Sequence, residues 1–372
     1  LLAGTGVVLG ATAVAAVRAR PPSATIVVSA ANSYHPDRAD FQCRGVDDHL
    51  VIQQALDLVA QHGGTVELTD GTFNTRAPVR LRDYVTLAGQ GTGSLNAIAT
   101  DEGATVLSST EGIWILHAQD YRSVTVRNLK IFGGNGGVVC KTTLGAGESL
   151  GLVLENLILG GQRFGSADAA LIIEGASPTD WHGEFTIQNV HIRAVRGEGV
   201  RFRYCYDFWA HNLFAIGTTR DAIRWDGCAS FQATQLRADY AGPGDAFGGG
   251  RYNGLLLVAC RGGTFGQIAI DNCNAEGIRM NSRCEMLSFN GGWVRNNGND
   301  VNLPIWQRAG INTSQDCTDI EFHGVHSYDM TDPRTQTYGH LDVFAGQRIY
   351  GGGYDGVLIA PFRSVEAGAV VV

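Results

Sequence analysis

The fold is decided by one unit that recurs in the middle of the chain and ends in cysteine. Its successive copies are Gly199-Val-Arg-Phe-Arg-Tyr-Cys205, Ala222-Ile-Arg-Trp-Asp-Gly-Cys228, Gly254-Leu-Leu-Leu-Val-Ala-Cys260, Gly277-Ile-Arg-Met-Asn-Ser-Arg-Cys284 and Gly310-Ile-Asn-Thr-Ser-Gln-Asp-Cys317. The first copies alternate apolar and polar residues as a β-strand does. A strand that recurs at short intervals predicts a solenoid, in which each coil adds one strand to a parallel sheet.

A second unit has the pattern apolar, any residue, Asn, apolar. It occurs as Val126-Arg-Asn128-Leu129, Leu154-Glu-Asn156-Leu157, Ile187-Gln-Asn189-Val190 and Ala210-His-Asn212-Leu213, with Ala233-Thr-Gln235-Leu236 as a variant. The asparagines are 28, 33 and 23 residues apart, which suits one coil of a β-helix with loops of varying length. Because stacked strands lie about 4.8 Å apart, we expect Asn128, Asn156, Asn189 and Asn212 to form a hydrogen-bonded ladder.

The alternation within the cysteine unit assigns its side chains to two faces. The interior set is Val200, Phe202, Ile223, Trp225, Leu255, Leu257, Ile278 and Met280, and the exterior set is Arg201, Arg203, Arg224, Asp226, Arg279 and Asn281. About nine or ten coils fit between Val66 and Val357. The predicted fold is therefore all-β, a single-stranded parallel β-helix.

The N-terminal part predicts a capping helix near residues 47–62, because apolar residues recur at helical spacing until Gly63-Gly64. The segments around this helix are Cys43-x-Gly45-x-Asp47-Asp48, Gly63-Gly64-Thr65-Val66-x-Leu68, Gly71-Thr72-Phe73 and Val85-Thr86-Leu87-Ala88-Gly89-Gln90-Gly91. Together they resemble the opening of proteins of the pectate-lyase-like superfamily. The resemblance implies a right-handed β-helix domain over residues 24–372, and it specifies the fold far better than the activity.

The cysteines on successive coils leave two alternatives open. Their spacing matches no common metal site, because no Cys-x-x-Cys or close His spacing occurs. Disulfides between neighbouring coils, such as Cys205–Cys228 or Cys260–Cys284, suit the spacing of coils and an oxidising compartment. A stack of buried free thiols is the other alternative.

The resemblance implies a groove for acidic polysaccharides on the outer face, with Ca²⁺ as a cofactor if the protein is a lyase. The Arg-x-Lys and Gly-His-Gly signatures of related hydrolases are missing. The remaining catalytic candidates are Arg201, Arg224, Arg279 and Asp226, because arginines on neighbouring coils repel unless an acid or a bound anion separates them. Salt bridging on the surface is the plainer alternative for this set.

Three further groups are weaker candidates. Asp239 and Asp245 lie in or beside a glycine-rich loop that either walls a groove or is a simple insertion. His323, His326 and His340 have no spacing typical of metal ligands, so we expect no metal site there. The net charge of −8 leaves no basic surplus to neutralise phosphates, so nucleic acid is not an expected partner.

The apolar segment over residues 1–23 resembles the core of an export signal, which predicts an extracellular or cell-surface location. We expect it to remain as an arm that promotes assembly with other copies of the chain. The assembly residues are Leu1, Gly6, Val7, Val8, Leu9, Gly10, Val370, Val371 and Val372. The favoured function is thus a structural homopolymer, a filament or surface layer. The alternative is an extracellular lyase, hydrolase or epimerase of acidic glycans.

Overall fold

The computed structural model describes residues 25–95, 103–162, 169–242, 251–331, 335–350 and 360–371. The predicted arm lies outside these ranges together with its assembly residues Leu1, Gly6, Val7, Val8, Leu9 and Gly10, and so does Val372. Val370 and Val371 form a short last strand with partly exposed side chains. The assembly role of all these residues stays a prediction.

Within the described ranges, two parallel sheets contain nearly all of the regular structure. The seventeen strands of the bent sheet are β1 (Thr25–Ser29), β2 (Phe41–Gln42), β3 (Gly64–Leu68), β4 (Gly71–Asn74), β6 (Val85–Ala88), β7 (Thr105–Ser109), β9 (Arg122–Gly133), β11 (Ser149–Gly160), β13 (His182–Val195), β15 (Cys205–Thr218), β17 (Ala229–Thr234), β18 (Arg237–Ala241), β20 (Arg261–Asp271), β22 (Glu285–Arg295), β24 (Thr318–Tyr328), β26 (Gln347–Tyr350) and β28 (Val370–Val371). The eleven strands of the short sheet are β5 (Val79–Arg80), β8 (Trp114–Gln119), β10 (Gly136–Lys141), β12 (Ala169–Glu174), β14 (Glu198–Arg203), β16 (Ile223–Asp226), β19 (Leu255–Val258), β21 (Ile278–Asn281), β23 (Ile311–Thr313), β25 (Tyr338–Val343) and β27 (Ala360–Val365). The eleven strands of the short sheet, one for each coil, slightly exceed the nine or ten coils expected.

Each coil contributes one strand to the short sheet and then one bent strand or strand pair to the other sheet. The register of the short sheet aligns Val200, Ile223, Leu255 and Ile278 on four successive strands. All the side chains assigned to the interior are completely buried, as the alternation predicts. The two sheets therefore enclose one continuous apolar core along the stack.

Aromatic side chains stack through the centre of this core. Ring centroids of stacked pairs lie 4.5 to 5.6 Å apart, in Phe185–Phe208, Phe202–Trp225, Phe265–Phe289 and Phe289–Phe322. Offset aromatic pairs add about 0.5–1.5 kcal/mol each beyond the burial of their surface. Stacking like side chains on successive coils thus stabilises the register itself.

The long strands turn sharply at the asparagines of the second repeat unit. Asn128, Asn156, Asn189 and Asn212 have φ angles of 58°, 50°, 53° and 51°, a left-handed conformation that asparagine tolerates better than most residues. Each amide nitrogen donates to the amide oxygen of the preceding coil, at distances of 3.0, 2.9 and 2.9 Å. The four asparagines therefore form a continuous amide ladder along the bend.

The disulfides Cys205–Cys228 and Cys260–Cys284 are not formed, and all eight cysteines are free and buried. The thiols use backbone carbonyl groups of the preceding coil instead. Cys205 Sγ donates to Ile173 O at 3.3 Å, and Cys260 Sγ donates to Trp225 O at 3.4 Å. Burial raises the pKa of the Cys228 and Cys260 thiols well above the usual range, so they stay protonated.

The N-terminal end of the core is covered by α1 (Asp48–Val59), which lies within the predicted span 47–62. Its buried face consists of Ile52, Ala55, Leu56 and Val59. The buried carboxylate of Asp48 accepts backbone hydrogen bonds from Gly45 at 2.9 Å and from Asn74 at 2.8 Å. This acid is therefore part of the cap structure.

Two short 3₁₀ turns complete the described elements, Pro36–Arg38 and Ile305–Gln307. None of the helices in the described ranges is both long and apolar enough to span a membrane.

Candidate active site

The four catalytic candidates lie on the outer face of the short sheet. Arg201 and Arg224 are direct neighbours in register on β14 and β16. Arg224 Nε donates a 2.9 Å hydrogen bond to Asp226 Oδ2, so the expected surface ion pair is present. Arg279 does not adjoin the other arginines, because Leu256 occupies the aligned position on the strand between them.

Glu198, at the start of β14, separates the two neighbouring arginines. Arg201 Nε donates to Glu198 Oε2 at 2.7 Å, and Arg224 Nη1 lies 3.6 Å from Glu198 Oε1. The Glu198 side chain is only 3% exposed, whereas that of Arg224 is 37% exposed. A buried carboxylate thus holds the two guanidinium groups together and leaves part of Arg224 facing solvent.

Glu276 occupies the same place on a later coil and has its own set of donors. Arg251 donates to it through both Nε, at 2.9 Å, and Nη2. Arg279 Nη1 lies 3.3 Å and Asn312 Nδ2 lies 2.7 Å from Glu276 Oε1. Burial raises the pKa of this carboxyl group, although the hydrogen bonds and charge of Arg251 act in the opposite direction.

Asp221 is a third buried carboxyl group near these arginines, and its surroundings differ from those of Glu198 and Glu276. Burial, followed by the negative charge of Glu198, raises the pKa of Asp221 to about 7. Asn253 donates to Asp221 Oδ1 from its backbone nitrogen at 2.6 Å and from Nδ2 at 2.9 Å. A carboxyl group with this pKa can accept or release a proton near neutral pH.

Glu198, Asp221 and Glu276 stand at equivalent places on their coils, where the chain enters the short sheet. The backbone nitrogen that follows Glu198 donates to Asp221 O at 3.2 Å, and the one that follows Asn253 donates to Glu276 O at 3.1 Å. The cysteine repeat gave no indication of this acidic row. The signal in the sequence is an acid three residues before each arginine: Glu198-Gly-Val-Arg201, Asp221-Ala-Ile-Arg224 and Glu276-Gly-Ile-Arg279.

An aromatic side chain borders the same face. The guanidinium of Arg251 lies 4.9 Å from the ring centroid of Trp306, within the range of a cation–π contact. Trp306 lies in the turn Ile305–Gln307, and 41% of its surface is exposed. The face therefore combines fixed cations and an exposed aromatic ring, and the titratable Asp221 lies buried beside the arginines.

Asp239 belongs to the bent sheet, where it is aligned with Asp271 of the next coil. Arg237 Nη2 lies 3.1 Å from Asp239 Oδ2, and Arg295 Nε lies 2.6 Å from Asp271 Oδ2. Burial and then the charge of Asp271 raise the pKa of Asp239, while a hydrogen bond from Asn272 lowers it. Each acid already has its own arginine, so this pair is a weaker proton-transfer candidate. Asp245 lies outside the described residues.

The three histidines do not converge. His323 Nε2 lies 3.2 Å from Glu321 Oε2 on the bent sheet, His326 is on the same strand, and His340 is buried in the short sheet. Within the described ranges, no three His, Cys, Asp or Glu side chains are grouped as ligands of one metal ion. A role for Ca²⁺ stays a prediction.

No protein-family model matches the sequence, and no curated protein matches it. Solved structures do. The A-module of mannuronan C-5 epimerase AlgE4 from Azotobacter vinelandii has a TM-score of 0.59 at 15% identity, covering 88% of this chain and 96% of that chain. Polygalacturonase from Erwinia carotovora has a TM-score of 0.53 at 11% identity and covers 97% of both chains.

The enzymatically active domain of tailspike protein 2 from bacteriophage CBA120 has a TM-score of 0.52 at 14% identity, covering 85% of this chain and 44% of that chain. These comparisons give no support to the filament expected from the sequence. At such low identities the likeness concerns the fold alone. The chain therefore has the right-handed parallel β-helix fold expected from the sequence.

Proposed function

We propose that this protein is an enzyme that acts on an anionic polysaccharide bound along the outer face of the short sheet. The observation that carries the proposal is Asp221, a carboxyl group with a pKa of about 7 beside the arginine-bound Glu198. Support also comes from two structural neighbours, an epimerase of mannuronan and a polygalacturonase, whose names designate polymers of uronic acids. An extracellular location would suit such a substrate.

The arginines favour proton abstraction beside a carboxylate over hydrolysis. Arg224, which is partly exposed, would pair with the carboxylate of a uronic acid unit and neutralise the charge that develops there when the neighbouring carbon loses its proton. A hydrolase needs a second carboxylate free to attack the sugar or activate water. Glu198 is already engaged by two guanidinium groups.

In the proposed step, ionised Asp221 takes the proton from the carbon next to the substrate carboxylate. The resulting electron pair is held by that carboxylate and its arginine partner. In a lyase, the glycosidic C–O bond then breaks and the departing oxygen takes a proton from water. In an epimerase, water gives a proton to the opposite face of the same carbon. In both cases Asp221 afterwards releases its proton to solvent.

The test is turnover of polygalacturonate and of mannuronate-rich alginate by the full chain, followed by ultraviolet absorbance for elimination and by NMR for epimerisation. Asp221→Asn is expected to lower kcat by roughly 100-fold or more, because it removes the group that transfers the proton. Asp226→Asn is the matched control, since Asp226 also contacts Arg224 but has no assigned proton transfer. Full activity of Asp221→Asn, or no reaction of the wild type with any uronate polymer, would overturn the proposal.

A further inference from the structure

A second concave surface lies at the bend of the bent sheet, whereas Arg201, Arg224 and Arg279 are on the short sheet. Its floor is the amide ladder at Asn128, Asn156 and Asn189, together with Ile158 and His191. Its wall is the segment of residues 90–95 that follows β6. The groove between them has a volume of about 420 Å³, which is within the usual range for small-molecule sites.

Hydrogen bonds attach the wall to the bent sheet near both of its ends. Near its start, Gln90 N donates to Thr105 Oγ1 at 2.9 Å, and Thr105 N donates to the carbonyl oxygen of residue 91 at 2.9 Å. At its far end, Arg193 Nη1 donates to Leu95 O at 2.9 Å. The residue before the wall, Gly89, donates its backbone nitrogen to Arg127 O on β9 at 2.9 Å, whereas Arg193 is on β13, two coils further along. The wall therefore crosses several coils and holds the groove open along the ladder.

The chemistry of the lining is neutral and polar. None of the described residues that line the groove is Asp, Glu, Lys or Arg. The primary amides each carry donor and acceptor atoms, and Ile158 adds an apolar patch. Burial and then the charge of Arg193 lower the pKa of His191, so its ring is uncharged at neutral pH. Its Nδ1 atom is buried without a hydrogen-bond partner, so Nε2 is the ring nitrogen left to donate or accept, according to the tautomer.

We propose that this groove binds an uncharged sugar unit or a short neutral oligosaccharide, at a site separate from the arginine-bearing face. A sugar hydroxyl group both donates and accepts hydrogen bonds, as the amides of Asn128, Asn156 and Asn189 do. The apolar C–H surface of a sugar ring suits Ile158, which lies beside the ladder. A uronate would find no cation among the lining residues, and Arg193 beside them already donates to Leu95 O. The proposal does not depend on the activity proposed above.

Titration calorimetry of the full chain with neutral trisaccharides of glucose and of mannose tests this site, with trigalacturonate as the charged comparison. We expect a neutral trisaccharide to bind with a Kd of roughly 1 mM or tighter. His191→Phe keeps the ring shape but removes its hydrogen bonds, and it should weaken binding roughly tenfold. His211→Phe, on the neighbouring strand and outside the lining, is the matched control and should bind as the wild type does.

Thr92→Trp is a second variant, which fills the groove from its wall without altering the ladder. It should abolish binding of neutral sugars and leave turnover of uronate polymers unchanged, so failure of this site and failure of the proposed activity are distinguishable. The proposal is overturned if no neutral trisaccharide binds the wild type. It is equally overturned if both His191→Phe and Thr92→Trp bind as the wild type does.

Discussion

The arginine-bearing face and the amide ladder are built by the same stacking of coils, yet they treat repetition differently. The ladder repeats one residue type on four coils without interruption, because each amide donates to the amide of the coil before it. The charged rows are interrupted: Asn253 separates Asp221 from Glu276, and Leu256 separates Arg224 from Arg279. Like charges on adjacent strands repel, whereas like amides attract. Both rows thus occupy equivalent positions on successive coils, and the chemistry of the side chain decides whether the same residue type can recur at that position.

The largest expected effect tests the charged rows. Glu276→Ala leaves Arg251 and Arg279 without their shared acid in a partly buried place. Removing one partner of a buried ion pair costs about 3–5 kcal/mol, so urea denaturation should show a loss of this size in the free energy of unfolding.

Glu174→Ala is the matched control for this variant. Glu174 also has two basic partners on the short sheet, Arg203 at 3.2 Å and Lys141 at 3.7 Å, but both of these side chains are about half exposed. Solvent screening should limit its loss to below about 1 kcal/mol. Equal losses for the two variants would contradict the view that Glu276 is an interior partner.

A smaller effect concerns the pH dependence of stability. The pKa of Asp221 is raised in the folded protein to about 7, so the folded state binds this proton more tightly than the unfolded state does. The resulting stabilisation is complete below the ordinary Asp pKa of about 4 and is lost as the pH rises through about 7. The free energy of unfolding of the wild type, relative to that of Asp221→Asn, should therefore fall by roughly 1–3 kcal/mol between these pH values.

Denaturation of both proteins at several pH values from 4 to about 8 measures this difference directly. Asp226→Asn again serves as the control, because Asp226 is more exposed and is bound by Arg224. A difference between wild type and Asp221→Asn that grows with pH would show that Asp221 is held as an ion in the folded protein, against the proposed role.

The sequence predicts the strands that recur on successive coils and the faces of their side chains, but it predicts few of the contacts between distant segments. Alternation in the cysteine unit correctly assigned Phe202 and Trp225 to the core, because a strand has only two faces. Proximity of the cysteines was predictable, but the choice between disulfides and free thiols depended on carbonyl acceptors that no pattern shows. The wall of the groove was beyond prediction, since Arg193 and Leu95 are 98 residues apart.

The partner acids of the arginines were missed for a different reason. Glu198 and Glu276 lie where the chain enters the short sheet, three residues before their arginines and ahead of the alternating residues that assigned the two faces. Asp226, within the strand, was therefore identified as an arginine partner, while the more buried acids were not. Alternation assigns the side chains within a strand to one of two faces, but it does not identify the acids at the points where the chain enters the sheet.

The smallest expected effect is at the ladder, with Asn156→Gly. This variant removes the hydrogen bonds of Asn156 to Asn128 and Asn189, each worth about 0.5–1.5 kcal/mol net. The loss of these hydrogen bonds is partly offset, because glycine adopts the φ of 50° found here without steric cost and because the emptied place at the bend is open to water. We expect a net loss of about 1 kcal/mol in the free energy of unfolding by urea denaturation. A loss as large as that of Glu276→Ala would mean that the ladder acts as one cooperative network, and the contrast between a tolerant neutral row and an intolerant charged row would then be wrong.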